Sequence, residues 1–223
     1  MSTCPSADQL VPKLRSLEPD HRDPVRLLSL YSATIALADA EAQAHLIKLS
    51  KRAEVPRTDL YEIVLQSYLF LGYPRMLIGA ENLAEVWPSG GETNSLLTAI
   101  TPDESQDWFD RGRLLCRQVY GHNYEPLKER VEAIAPDIFR WMIVEGYGKV
   151  LSRDGLSPIV RELAIVASLM VDCRPKQLHS HLRGALNVGA SAATVRQVIE
   201  DLGPECGTGY DHAAALLGEM GVD

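Results

Sequence analysis

The sequence predicts an all-α protein. Apolar residues recur at helical spacing along most of the 223-residue chain, and no stretch combines strict alternation with an excess of β-branched residues, as a half-buried strand would. Ser, Pro and Gly residues mark the expected helix starts and stops. With 46% hydrophobic residues, the chain is long and apolar enough to bury a sizeable core.

The first half contains four predicted helices, each ended by a Pro, a Gly or a polar turn. They span residues 24–38, 41–52, 57–71 and 74–87. A segment rich in Gly, Pro and Ser, without apolar periodicity, follows at residues 88–105, and we interpret it as a linker.

The second half contains seven predicted helices. Ser157 and Ser191 are expected to cap two of them, because a serine hydroxyl accepts hydrogen bonds from unpaired first-turn amides. Gly189 is typical of a residue that follows a helix C-terminus. The predicted helices span residues 105–119, 123–135, 136–150, 157–172, 176–188, 192–202 and 209–220.

The two halves resemble each other at an offset of 135 or 136 residues. Val25-Arg-Leu-Leu28 aligns with Val160-Arg-Glu-Leu163, and His45 aligns with His181. Because the matches keep the same order along the chain, we predict a duplicated helical unit.

The predicted repeats are chemically unequal, because Leu27 stands where the second repeat has Glu162. The first repeat is therefore expected to serve as scaffold. The predicted organisation is an N-terminal extension at 1–23, a first, degenerate repeat at 24–87, the linker at 88–105 and a second repeat at 106–223.

The chain is acidic, with 22 basic and 30 acidic residues and a formal net charge of −8. This charge disfavours attraction to phosphate backbones and anionic lipids, so we expect neither a nucleic-acid nor a membrane partner. The longest weakly polar run, residues 27–38, is shorter than the roughly 20 residues that cross a bilayer. Residues 1–23 carry charges where a secretory signal needs an apolar core, so a cytoplasmic location is expected.

Cysteine and histidine spacing predicts reduced thiols and no metal site. His179 and His181 lie two residues apart on a predicted helix, so their side chains point in different directions and do not easily share one ion. The scattered cysteines match neither a disulfide framework nor a zinc ribbon. They are Cys4, Cys116, Cys173 and Cys206.

The candidate chemistry lies in the second repeat. Glu162 shares one face of its predicted helix with Val166, Leu169 and Cys173, so its carboxylate lies on a largely apolar stripe. Such a carboxylate must be paired or neutral, which suits a general acid or base. A structural salt bridge or hydrogen bond explains the same pattern.

On the next predicted helix, His181 belongs to the inward stripe with Leu178, Leu182 and Ala185, whereas Arg183 lies on a different face. A histidine on an apolar face is often a hydrogen-bonded core residue. Its pairing with Glu162 is what favours a functional interpretation, and whether the two residues touch depends on how their helices dock.

These segments carry a family resemblance. Ser152-Arg153, Arg161-Glu162-Leu163-Ala164 and His181-Leu-Arg-Gly-Ala-Leu-Asn-Val-Gly189 together resemble the carboxymuconolactone decarboxylase family, within the alkylhydroperoxidase-D-like superfamily. In the first half, Asp59-Leu-Tyr-Glu-Ile-Val-Leu-Gln66 followed by Gly72-Tyr-Pro74 is similar to that family's helix and glycine-proline turn.

The resemblance implies an alkylhydroperoxidase-D-like helical fold, assembly of identical subunits into trimers or hexamers, and no bound cofactor. Peroxidase members use a C-x-x-C pair between their Glu and His. Here Arg174 and Gln177 occupy those positions, so the disulfide relay cannot run in its usual form. Decarboxylase members, which lack the pair, resemble this sequence better.

The resemblance therefore favours a cofactor-free decarboxylase, or a related lyase, acting on a small carboxylated lactone or related acid. His181 is expected to transfer a proton and Glu162 to orient or tune it. Arg183 or Arg161 is expected to hold the substrate carboxylate, because guanidinium matches its geometry with two bonds. Either arginine is equally well explained as an ordinary ion-pair partner.

Two alternatives stay open. The first is a thiol-dependent peroxidase or antioxidant protein that uses Cys173, with Cys206 as resolving partner. The second is a non-catalytic oligomeric binding protein of the same fold, since a fold does not establish a function.

Overall fold

The computed structural model describes residues 7–17, 23–89 and 102–221. None of these residues forms a strand, so the predicted all-α class is confirmed for the described chain, which is consistent with an alkylhydroperoxidase-D-like fold. Residues 90–101 of the predicted linker lie outside the described residues, as do residues 18–22 and Cys4.

The described residues form eleven α-helices, a π-helical segment at Met142–Leu151 and two short 3-10 turns. The helices are α1 (Ala7–Arg15), α2 (Pro24–Leu37), α3 (Ala40–Arg52), α4 (Arg57–Val86), α5 (Pro102–Tyr120), α6 (Tyr124–Ile134), α7 (Pro136–Trp141), α8 (Pro158–Val171), α9 (Pro175–Asn187), α10 (Ala192–Leu202) and α11 (Thr208–Glu219).

The chain forms two compact units. The first takes its described residues from 1–88 and 155–223, and the second takes its residues from 89–154. The duplication proposed from the sequence stays a prediction. No described helix combines the length and apolarity that crossing a bilayer requires.

The core of the first unit is built around α2 and α8, whose sequences are almost continuously apolar. In α8 every residue from Arg161 to Val171 is buried. The two helices pack against each other, and the hydroxyl oxygens of Ser32 and Ser168 lie 2.6 Å apart between them. Because α8 lies in the core, the carboxylate of Glu162 is held in a rigid, largely apolar setting.

The predicted helix boundaries of the second repeat are confirmed at three positions. The hydroxyl of Ser157 accepts a hydrogen bond from the amide of Val160 at 3.4 Å, and that of Ser191 accepts one from Thr194 at 3.0 Å. Gly189 follows α9 with a φ of +103°, a left-handed conformation that favours glycine. Ser157 thus begins α8, while Gly189 and Ser191 end α9 and begin α10 within a few residues.

The helix break predicted near residue 72 is present as a kink within α4. Gly72 has a φ of 79° and a ψ of 165°, outside the helical region. Pro74 follows and has no amide hydrogen to continue the helical ladder. The residues of α4 before Gly72 therefore form a separate helical segment, and this segment carries residues of the candidate site.

Two features differ from the sequence prediction. The predicted helix at 136–150 is α7 followed by the π-helical segment. In that segment Gly148 packs so closely on Trp108 that an added methyl group would overlap the Trp108 carbonyl. The N-terminal extension contains α1, which buries Leu10 and Leu14 completely. Apolar periodicity reveals neither a widened helical turn nor a short helix with a proline inside it.

A glycine-to-alanine pair on α11 tests the close packing of α8. At Gly209 an added methyl group would overlap the backbone carbonyl of Met170, whereas at Gly218 it would meet nothing within 4 Å. We expect Gly209→Ala to lower the free energy of unfolding by about 1–3 kcal/mol, measured by denaturant titration. Gly218→Ala is the matched control and is expected to be neutral or slightly stabilising; equal effects would contradict the packing described.

Candidate active site

The structure brings Glu162 and His181 into direct contact. Glu162 lies in the first turns of α8 and His181 in the middle of α9, two helices that pack against each other. The Oε2 atom of Glu162 lies 2.8 Å from Nδ1 of His181. Their side chains are only 3% and 6% exposed, respectively, so this hydrogen bond is formed in a largely water-free environment, where it is strong.

The chemistry of the pair follows from which atoms can donate. An ionised carboxylate only accepts hydrogen bonds, so the Nδ1 atom of His181 carries the hydrogen in this contact. Within the described chain, no residue forms a hydrogen bond with the other ring nitrogen, Nε2. The arrangement therefore leaves Nε2 as the nitrogen that can accept or deliver a proton.

The predicted inward stripe of α9 is confirmed. Leu178, His181, Leu182 and Ala185 are all buried, whereas Arg183 is exposed. Arg183 donates through Nε to Nε2 of His179 at 2.9 Å, one helical turn away. The structure thus places Arg183 on a different face of α9 from His181.

Arg161 lies in a second buried polar cluster, contributed by α4 and α8. Its Nη2 atom lies 2.9 Å from Oε2 of Glu62, and its Nη1 atom donates to Oε1 of Gln66 at 3.3 Å. The Arg161 side chain is 1% exposed. A buried guanidinium requires such a counter-charge, because desolvation of a single charge is costly.

Three residues of this region were not predicted as site residues, although two of them lie in the segment 59–66 that carries the family resemblance. Glu62, Gln66 and Phe70 follow one another at intervals of four residues on α4, so they share one helix face. Phe70 packs edge-on against His181, with ring centroids 5.1 Å apart and an interplanar angle of 87°. The four-residue spacing that places Glu62 and Gln66 on one helix face was the available signal.

The electrostatic setting of this α4 face extends to Asp59, one turn before Glu62. Burial raises the pKa of the Asp59 carboxyl above its ordinary value, and the negative charge of Glu62 adds to the rise. A hydrogen bond from Thr58 opposes the shift. Burial is therefore the main cause of the raised pKa of Asp59, and the charge of Glu62 is the smaller one.

Cys173 lies just beyond the end of α8, with its own set of contacts. Its Sγ atom is 3.3 Å from Oγ1 of Thr208 and 3.8 Å from the carbonyl of Met170. The neighbouring Arg174 donates to Asp172 at 2.8 Å, so its positive charge is directed at a carboxylate.

Among the described residues, no group of three or more His, Cys, Asp or Glu side chains is arranged to hold a metal ion.

Comparison with known proteins finds a family model that matches part of the chain. Residues 136–219 match the model of the carboxymuconolactone decarboxylase family. The match covers less than half of the 223-residue chain. The matched segment contains both Glu162 and His181, so the contact described above lies within the residues that match this family model.

Two curated relatives extend beyond this region. The chain is 28% identical over 152 residues to "Peroxisomal protein 2" of Schizosaccharomyces pombe, covering 66% of this chain and 70% of that protein. It is 25% identical over 160 residues to "Peroxisomal protein 2" of Saccharomyces cerevisiae, covering 61% of this chain and 56% of that protein. The alignment therefore spans little more than half of the second relative.

Proposed function

We propose that this protein is a decarboxylase-like lyase in which His181 transfers a proton to a small carboxylated lactone or related acid. The observation that carries the proposal is the buried contact of Glu162 with Nδ1 of His181, which leaves Nε2 available. A carboxylate that orients an imidazole fixes both its tautomer and its direction, as proton transfer requires.

The proposed reaction balances without an added redox partner. The bond between a ring carbon and the carboxylate carbon breaks, and carbon dioxide leaves. The electron pair moves into the conjugated lactone carbonyl, which forms an enolate. The protonated Nε2 of His181 then delivers its proton to a carbon of the enolate, and a proton from water restores the imidazolium.

The substrate carboxylate needs a positive partner, and two arginines are candidates. Arg183 would exchange its contact with His179 for the substrate. Arg161 would exchange Glu62 for the substrate, which replaces one carboxylate by another within a buried site. Bidentate binding by either guanidinium would orient the breaking bond.

The test is ultraviolet-monitored turnover of carboxymuconolactone by the purified protein, with a reducing agent present to silence thiol chemistry. The proposal predicts loss of the lactone at a rate proportional to protein concentration. If neither carboxymuconolactone nor related lactone acids are turned over, the lyase proposal is rejected. The thiol-dependent and the non-catalytic alternatives are then favoured.

The thiol-dependent alternative has a test of its own. A peroxidase that uses Cys173 should consume peroxide only with a thiol reductant, and Cys173→Ser should abolish that activity. Our proposal instead expects Cys173→Ser to retain lactone turnover. Lactone binding without turnover would favour the non-catalytic alternative.

Location and assembly are part of the proposal. We propose a cytoplasmic homo-oligomer, a trimer or hexamer, that requires no cofactor. The names of both relatives make the peroxisome the alternative location. A fluorescent fusion imaged beside a peroxisomal marker separates the two locations, and light scattering coupled to size-exclusion chromatography measures the subunit number.

A further inference from the structure

One face of α4 contacts both of the helices that carry the candidate site. Glu62 and Gln66 bind Arg161, the residue that immediately precedes Glu162 on α8. One turn further along the same face, Phe70 contacts His181 on α9. A single helix face therefore touches the two helices that carry the Glu162–His181 pair.

Gln66 contacts Arg161 at two points of the same residue. Its amide nitrogen donates to the Arg161 backbone carbonyl at 3.3 Å, and its amide oxygen accepts from Nη1 at 3.3 Å. Both side chains are buried, so these bonds lie in a low-dielectric environment. They fix the position of the backbone from which Glu162 projects.

Phe70 restricts the other member of the pair. The two rings pack edge to face with their centroids 5.1 Å apart, and this packing favours one orientation of the His181 ring about the Cβ–Cγ bond. Glu162 holds Nδ1 at the same time. Two contacts from different helices therefore define one direction for Nε2.

We propose that Gln66 and Phe70 are positioning residues for the Glu162–His181 pair: Gln66 fixes the backbone beside Glu162, and Phe70 fixes the imidazole ring. Their importance for turnover rests on the proposed function. Their effect on ring orientation does not, because the tautomer of His181 can be measured without any substrate.

The test is nitrogen-15 NMR of histidine-labelled protein, with the His181 signals assigned by their loss in His181→Gln. In the neutral wild-type ring we expect Nδ1 to carry the hydrogen and Nε2 to be bare. In Phe70→Leu we expect a mixture of tautomers, seen as averaged shifts at both nitrogens. Phe70→Tyr keeps the aromatic edge and is expected to restore the wild-type spectrum.

Tyr61→Leu is the matched control, because it removes an exposed aromatic side chain from the same helix. It is expected to leave the His181 signals unchanged. Gln66→Met provides a second variant should Phe70→Leu unfold, and we expect it too to mix the tautomers. Wild-type His181 signals in folded Phe70→Leu or folded Gln66→Met would overturn the proposal, whether or not carboxymuconolactone is a substrate.

Discussion

His181→Ala is expected to lower kcat/KM for carboxymuconolactone by about 10²–10⁴-fold, the range that a positioned general acid contributes. The loss is expected mainly in kcat, because the missing proton donor acts in the transition state. The variant also removes the partner of the buried Glu162 carboxylate. Steady-state kinetics by ultraviolet absorbance measures the effect.

Two further variants separate chemistry from folding. His181→Gln keeps an amide that can donate to Glu162 but cannot transfer a proton at neutral pH, so it should be as inactive as His181→Ala and more stable. His212→Ala removes an exposed histidine of α11 and is expected to be fully active. Wild-type kinetics for either His181 variant would contradict the assignment.

Arg161→Met is expected to lower the free energy of unfolding by about 3–5 kcal/mol, because it removes the guanidinium from a buried ion pair while the Glu62 carboxylate remains. The size of the effect reflects burial: an exposed pair would contribute no more than about 1 kcal/mol. Denaturant unfolding followed by circular dichroism measures it, with constant m-values as the check on two-state behaviour.

A double-variant cycle shows whether the loss of the Arg161 charge causes the loss of stability. Arg161→Met combined with Glu62→Met removes both charges and is expected to be more stable than either single variant. Additive losses in the double variant would mean that packing of the Arg161 side chain, rather than its charge, stabilises this region.

Helix positions could be predicted from the sequence because their signals are local. Ser157 and Ser191 bond to amides three residues away, and Gly189 adopts its left-handed conformation within a single residue. The burial of His181 followed from the spacing of its apolar neighbours on α9. These features depend on helical periodicity and on end groups, both of which are readable along the chain.

The α4 contacts could not be predicted in this way, because they join residues far apart in sequence. Glu62 and Arg161 are separated by 99 positions, and Gln66 and Arg161 by 95. Which polar residue meets which depends on how α4 and α8 pack, and that packing is set by the shapes of apolar side chains. Glu162 and His181 could be singled out from the sequence, but whether they touch depends in the same way on how α8 and α9 pack.

The most direct test of the central claim is the amount of carbon dioxide released per carboxymuconolactone consumed, measured under reducing conditions. We expect equimolar release by the wild-type protein, without peroxide, and none above the uncatalysed rate by His181→Gln. Lactone consumption without carbon dioxide, or equal release by both proteins, would contradict proton transfer by His181 in a decarboxylation.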